Sequence, residues 1–551
     1  MFFFQDVKWM LMTKYIAPTA AISAIYSAWY GWGKTENHVK IKSIDEAVEF
    51  LNHNKETPEA LRYISNFDFD RQPRYLKKLS IRSLGILAGV GSEIVRQARV
   101  HQCKREDDDF LFQNALSKFD LGPSWKRGVD WLHRSPCLDE DLSCEDWQVW
   151  RPTQVERLQR LLQILFIETE NQFSPDTVDI YVVDFLFNVF KLFDGDTPEI
   201  ARLTLRILAN VALNGQEYAE RIFSTEWLQI LGNLVTRGET LEERLIAHKI
   251  CRNALHTLDS VPYKLPSDVY ELHISQGEPV VDIVLIHGLC GSVLYTWRQK
   301  DDRTKLISEC WPKDWLPLDI NDSMRILGVN YPSYLLHSSG AVDSLPQRAE
   351  RFVKQLSSAG IGSRPVVFIC HSMGGLLAKK MLLDSEELRK NTVGVLFIAT
   401  PHRGSPIAEW GDYNFPFTPS EDVRFLHSKN QQNEKLNQDF GTISKEIPVI
   451  ASMIETKESD LIATAKGIIV PTESAVFGSG VLYHIDEVHH NVCKPSERTS
   501  PTYGVVLNFV RDSIAAAKKR NPSKEIKKAE PQKFNESTVQ NDSEEIEPID
   551  H

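Results

Sequence analysis

The chain has 551 residues, of which 42% are hydrophobic, and a formal net charge of -12. At roughly 150 residues per domain, this length predicts two to four domains with sizeable packed cores, which excludes a wholly disordered or fibrous chain. The 75 acidic residues outnumber the 63 basic ones, so the chain as a whole has no electrostatic attraction for nucleic acid. Its eight cysteines form no CxxC pair, and we expect no disulfide scaffold, no metal site and no bound cofactor.

The N-terminal segment, residues 1–35, contains an uncharged run long enough to be considered as a membrane anchor. Residues 15–32 form 18 uncharged positions with lysines on both sides and aromatic residues at one end. This length barely spans a bilayer, and the aromatic end is typical of a membrane interface. The segment predicts an uncleaved anchor with the bulk of the chain in the cytosol. The alternative is an amphipathic or buried helix.

Residues 40–260 show helical periodicity with almost no strand-like runs. Residues 201–235 read as two apolar-striped helices, and their pattern recurs weakly so that Asn210 aligns with Asn253, 43 residues later. This period matches armadillo or HEAT repeats, which stack and expose a groove. We therefore predict an armadillo-like helical domain that contacts a protein partner, with an irregular helical domain as the alternative.

The last segment, residues 518–551, is basic and then acidic with almost no large apolar residues. Such a composition cannot bury enough apolar surface to pack, and it predicts a disordered tail.

Residues 270–515 change to short β-branched runs that alternate with helices, which predicts a parallel sheet covered on both faces. The expected strands include 280–286, 324–329 and 365–370, with a helix over 345–358. The third strand enters His371-Ser372-Met373-Gly374-Gly375 and a second helix. A strand, a serine, small residues and a helix form a nucleophile elbow. A simple helix start is the alternative, and Cys370 replaces the glycine or alanine expected two residues before the serine.

Four motifs around this elbow resemble a known family. They are HSMGGLL, TPHRGS, VPTESA and HHNVCKP, and together with the N-terminal segment and helical middle they look like the serine active site-containing protein 1 family. That family is similar to the lipase branch of the α/β-hydrolases. The resemblance implies an α/β-hydrolase domain after the helical domain, and an α/β fold class for the chain.

The acid of a serine, acid and histidine triad should follow a late strand. Residues 467–470 resemble such a strand, and Glu473 lies just after it, in the ESA element that matches the family. We therefore predict Glu473 as the acid. Asp486, Asp412 and Asp422 remain alternatives.

The base is expected at one of two adjacent histidines, His489 and His490. The family's spacing from histidine to the cysteine-lysine pair selects His489. An imidazole there would take the proton of Ser372 as a general base, oriented by the acid.

The oxyanion hole is predicted at the Met373 amide and in the loop that carries Gly288 and Leu289, because these follow the elbow and the first strand. Three more histidines are expected to shape loops by packing or backbone hydrogen bonds: His287, His371 and His402.

The resulting functional prediction is a membrane-anchored serine hydrolase or transacylase that acts on a phospholipid ester. The resemblance implies phosphatidylglycerol remodelling at mitochondria and contacts with the endoplasmic reticulum. Exposed aromatic residues in the insertion 406–446 would suit an acyl chain, or they pack the insertion onto the domain. The alternative function is a catalytically degenerate platform whose helical region binds a partner.

Overall fold

The computed structural model describes residues 41–520 with gaps. The gaps are 54–57, 66, 68–71, 73, 102–151, 171–179, 196, 276, 301–308, 336–342, 410–417 and 463–464. The predicted anchor at residues 15–32 and most of the predicted tail therefore lie outside the described residues. Within the described residues, no helix combines the length and the apolar character needed to cross a membrane.

The first part of the described chain is helical, as its periodicity predicted. Its α-helices are α1 (Ile44–Asn52), α2 (Pro58–Ser65), α3 (Ile81–Gly89), α4 (Pro152–Glu170), α5 (Val182–Phe193), α6 (Pro198–Val211), α7 (Gln216–Ser224), α8 (Trp227–Arg237) and α9 (Leu241–Thr257). Residues 201–235 were expected to hold two helices but contain parts of three, because the chain breaks again at Thr225. The Thr225 hydroxyl there donates back to the Arg221 carbonyl.

Helices α4, α6 and α9 stack side by side, and the two aligned asparagines connect them. Asn210 on α6 donates its side-chain amide to the Thr169 hydroxyl on α4 at 3.0 Å. Asn253 on α9 donates to the Ala209 carbonyl on α6 at 2.8 Å. Each asparagine is thus bonded to the preceding helix of the stack, so the 43-residue alignment corresponds to a repeated contact.

The second part is an α/β-hydrolase fold, which confirms the predicted fold class. Its strands are β1 (Val269–Ile274), β2 (Val281–Ile286), β3 (Met324–Val329), β4 (Val366–His371), β5 (Thr392–Ile398), β6 (Val449–Glu455), β7 (Ser459–Ile462), β8 (Ala465–Gly467) and β9 (Val481–Ile485). Its helices are α10 (Val293–Thr296), α11 (Trp311–Asp314), α12 (Leu316–Asp319), α13 (Leu345–Ser358), α14 (Gly374–Asp384), α15 (Glu386–Asn391), α16 (Pro406–Glu409), α17 (Glu421–Phe425), α18 (Gln431–Ile443), α19 (Thr472–Ala475) and α20 (Pro501–Arg520).

The main sheet has the strand order β1-β3-β2-β4-β5-β6-β9. Strand β1 is antiparallel to β3, and the other neighbours are parallel. Strands β2, β4 and β5 are buried along their whole length, which is why their sequences read as continuous apolar runs. Because parallel strands end at one edge of the sheet, the segments after β2, β4, β6 and β9 meet there.

Candidate active site

Ser372 occupies a strained turn between β4 and α14. Its φ is +52°, a left-handed conformation that is rare for a residue with a side chain. Gly374 makes the turn possible, because a Cβ at this position would lie 2.4 Å from the Ile286 carbonyl oxygen. Cys370 is accommodated as a fully buried member of the apolar core. The structure therefore contains the nucleophile elbow that the sequence predicted.

His489 lies against this serine, in the loop after β9. Its Nε2 is 3.1 Å from the Ser372 Oγ. The backbone N–H of His489 donates to the Ser459 hydroxyl at 3.3 Å, and the His371 Nε2 donates to the His489 carbonyl at 3.0 Å. The adjacent His490 is exposed, so the structure brings together Ser372 and His489.

Glu455 is the carboxylate that contacts His489. It ends strand β6, is 2% exposed, and its Oε2 is hydrogen-bonded to the His489 Nδ1. Its other oxygen, Oε1, accepts the backbone N–H of Val470 at 2.9 Å. The assignment of Glu473 as the acid is therefore wrong: Glu473 lies exposed on the short helix α19.

The prediction of Glu473 depends on which segment forms the late strand that precedes the acid. The sequence predicts this strand at residues 467–470, but β8 ends at Gly467 and pairs with β7 in a separate hairpin. The late strand that lies in the main sheet is β6, which pairs with β9 and ends on Glu455. Sequence reasoning missed this residue, although the apolar run before it was a usable signal.

The alternative acids have other roles. Asp486 is exposed and pairs with Lys457 at 2.9 Å. Asp422 is buried and pairs with Arg348 at 3.1 Å. Asp412 lies outside the described residues.

The backbone next to Ser372 offers free donors where an oxyanion would form. A Cβ at Gly288 would lie 2.5 Å from the Ser372 Cβ, so the loop after β2 touches the nucleophile. Among the described residues, the N–H groups of Met373, Gly288 and Leu289 donate no hydrogen bond. The predicted oxyanion residues are thus adjacent to the serine and have donors available.

His287 holds the oxyanion loop as a neutral ring. Burial lowers the pKa of His287 to about 4. Its Nδ1 donates to the Gly288 carbonyl at 2.9 Å, and its Nε2 accepts the Tyr331 N–H at 3.2 Å. These bonds agree with the expected loop-shaping role.

His402 anchors the loop after β5 through a polar cluster that the sequence did not reveal. The Lys379 Nζ, on α14 behind the nucleophile, lies 2.7 Å from the His402 Nδ1 and also donates to the Asn437 side chain. Burial holds the pKa of Lys379 well below its usual range. Three rings surround its ammonium: Phe397, Phe440 and Phe477. This cluster fixes the loop to the helix that begins at the elbow.

Two further sequence predictions concern the surroundings of the site. Most of the aromatic residues of the insertion fall in residues 410–417, outside the described residues. In the part of the chain that the structure describes, no group of three or more histidine, cysteine or carboxylate side chains is arranged to hold a metal ion.

The chain is similar to known proteins over part of its length. Residues 276–472 match the family model described as a PGAP1-like alpha/beta domain. Among solved structures, the mature lipase BlEst2 of Bacillus licheniformis is 15% identical with a TM-score of 0.32, covering 43% of this chain and 94% of that chain.

Curated relatives match a larger part of the chain. Protein SERAC1 of Danio rerio is 34% identical over 346 residues, which is 58% of this chain and 52% of the relative. Protein SERAC1 of Homo sapiens is 32% identical over 345 residues, with the same coverage of both chains. The chain thus spans about half the length of the curated relatives it matches. Over this shared region, the chain is similar to the SERAC1 proteins, which agrees with the resemblance found in its motifs.

Proposed function

We propose that the chain is a serine hydrolase or transacylase that acts on acyl esters of lipids. The observation that carries this proposal is the chain of contacts from Glu455 to the His489 Nδ1 and from the His489 Nε2 to the Ser372 Oγ. The unused amides beside the serine add the second requirement of acyl transfer, a site for the oxyanion.

The contacts define a sequence of proton transfers. Glu455 accepts a hydrogen bond from the Nδ1–H of His489, which keeps the proton on Nδ1 and leaves the Nε2 lone pair directed at Ser372. As the Ser372 oxygen attacks the ester carbonyl, Nε2 takes its proton, and the amides of Met373 and Leu289 stabilise the oxyanion. The imidazolium then protonates the leaving alkoxide. Water or a second lipid alcohol, activated by the same nitrogen, accepts the acyl group.

The resemblance to the serine active site-containing protein 1 family supports a narrower proposal. In it the substrate is a phospholipid, the reaction remodels phosphatidylglycerol, and the protein acts on mitochondrial or endoplasmic reticulum membranes, held there by residues 15–32. Contact with a protein partner through the helical region belongs to the same proposal.

Products from a phosphatidylglycerol labelled in its acyl chain separate the two reactions, since hydrolysis releases free fatty acid and transfer gives a new acylated lipid.

A fluorophosphonate probe tests the central claim, because it forms a stable bond only with an activated serine. We expect labelling of the wild-type chain and none of Ser372→Ala, because the variant has no hydroxyl at this position to bond with the probe. Ser513→Ala is a matched control, since this serine is also buried but lies on α20 beside Gly394, near the start of β5. Labelling that persists in Ser372→Ala would refute the nucleophile. A wild-type chain that never reacts would favour the degenerate platform instead.

A further inference from the structure

A buried lysine beside the His489 loop has no use in the mechanism above. Lys494 is 3% exposed, and an ammonium carries three hydrogen-bond donors. Among the residues that the structure describes, its Nζ makes no hydrogen bond and no ion pair, and it is not one of the fully buried unpaired nitrogens, so the Nζ itself keeps some access to solvent. Its close partner is the ring of Tyr295, whose centroid lies 3.6 Å from the Nζ.

The position of this ammonium relates it to the site. Lys494 lies five residues after His489 in the same loop, and Tyr295 lies on α10, just after the oxyanion loop. The charge of Lys494 lowers the pKa of both His371 and His490, in addition to the larger effect of burial. The positive charge therefore lies where the loop of the base meets the segment after the oxyanion loop.

A neighbouring lysine, Lys300, is paired with a carboxylate. The backbone N–H of Lys300 bonds to the Pro495 carbonyl, so it lies in the same region, and its Nζ pairs with the Glu487 carboxylate at 2.5 Å. Within the described ranges of the chain, Lys494 has no such counter-charge. A buried cation without one is costly, and a ring face compensates for only part of its lost hydration.

We propose that Lys494 binds the phosphate of the substrate's head group while the Tyr295 ring holds the ammonium in place. The inference rests on the proposed function, because it takes the acyl ester to be bound at Ser372. In a glycerophospholipid only the glycerol carbons separate the ester from the phosphate. A cation next to the triad loop can thus contact the phosphate of the molecule whose ester meets the serine, and it would favour phospholipids over uncharged glycerides.

Binding measured without turnover tests the proposal. The Ser372→Ala chain is titrated calorimetrically with dihexanoyl phosphatidylglycerol and with uncharged dihexanoylglycerol, and the ratio of the two dissociation constants is determined. Adding Lys494→Met is expected to reduce the preference for the phospholipid by about 10- to 100-fold, the loss expected for one charge-assisted hydrogen bond. Lys494→Arg keeps the charge and should retain most of the preference, and Lys300→Met should leave it in place.

Several results would overturn the inference. The first is that the Ser372→Ala chain does not bind the phospholipid. The second is that Lys494→Met leaves the ratio of the two dissociation constants unchanged, or weakens the binding of both ligands equally. The third is that Lys300→Met reduces the preference for the phospholipid as much as Lys494→Met does. Because these measurements need no catalysis, they are separate from the probe test. A chain that fails to label but shows the lysine-dependent preference would refute the hydrolase and keep the phosphate site.

Discussion

Replacing Glu455 by glutamine tests the acid that the structure identifies. The carboxylate makes two different contacts, accepting the Val470 N–H at Oε1 and contacting the His489 Nδ1 at Oε2. A glutamine has only one oxygen. If it keeps the bond to Val470, its NH₂ group faces Nδ1 and forces that nitrogen to accept a hydrogen bond. The proton then lies on Nε2, which can no longer take the proton of Ser372.

The size of the effect follows from this change of tautomer. An amide in place of the triad acid lowers kcat by about 10⁴-fold in a serine protease whose geometry is otherwise intact. We expect a loss of about 10³- to 10⁴-fold for Glu455→Gln. Glu473→Gln should change the rate by less than about threefold, because an exposed carboxylate outside the hydrogen-bonded chain contributes little.

The assay is the second-order rate of fluorophosphonate labelling at Ser372, accompanied by thermal melts that confirm folding. Both glutamine variants carry the same change of charge, so they control for each other. A Glu455→Gln chain that labels within tenfold of wild type would refute the assignment, and so would a greater loss in Glu473→Gln.

Two further predictions concern the support of the site. Gly374→Ala should destabilise the fold by about 1–3 kcal/mol and slow labelling, because the added Cβ meets the Ile286 carbonyl. Gly504→Ala, in a helix with open space around it, should stabilise the fold by about 0.5–1 kcal/mol. Denaturant titrations measure both variants, and equal effects of the two substitutions on the free energy of unfolding would contradict the steric argument. His287 stays neutral in the folded chain, since burial lowers its pKa to about 4. Its contribution to the free energy of unfolding is therefore complete above pH 6.5 and is lost as the pH falls to 4. The destabilisation caused by His287→Gln should therefore be about 2 kcal/mol smaller at pH 5 than at pH 7.5, and a pH-independent difference would refute it.

The positions of Ser372 and His489, the proposed nucleophile and base, were predictable because the sequence signals that define them are local. A buried β-branched run, a serine and two glycines specify a strand, a sharp turn and a helix in one continuous stretch, residues 366–384. His489 also lies in a short motif, and the family resemblance resolved the choice from His490. The positive φ of Ser372 follows from the same local pattern.

The acid was not predictable in this way, because its strand is defined by its neighbours in the sheet. Residues 467–470 are rich in β-branched side chains and have the stronger local preference for a strand. The chain instead uses β6, which gains its pairing from β5 and β9, elements distant in sequence. Strand preference depends on such context more than helix preference does. The misread segment still serves the site, since its Val470 N–H holds Glu455.

The boundary between the helical region and the hydrolase fold is clear in the sequence pattern but not in the packing. One continuous apolar core includes residues from α9 and from strands β1 and β2. At the junction, Glu271 of β1 is buried against His248 and Arg252 of α9, at 3.1 and 3.4 Å. Burial alone would raise the pKa of Glu271, but Arg252 and His248 outweigh it and lower the pKa to about 2. Helix α9 thus supplies a guanidinium and a histidine contact that allow a carboxylate inside the edge of the sheet. Removing them would leave that carboxylate buried with fewer counter-charges, which is strongly destabilising, so the helical region supports the same sheet that positions Ser372.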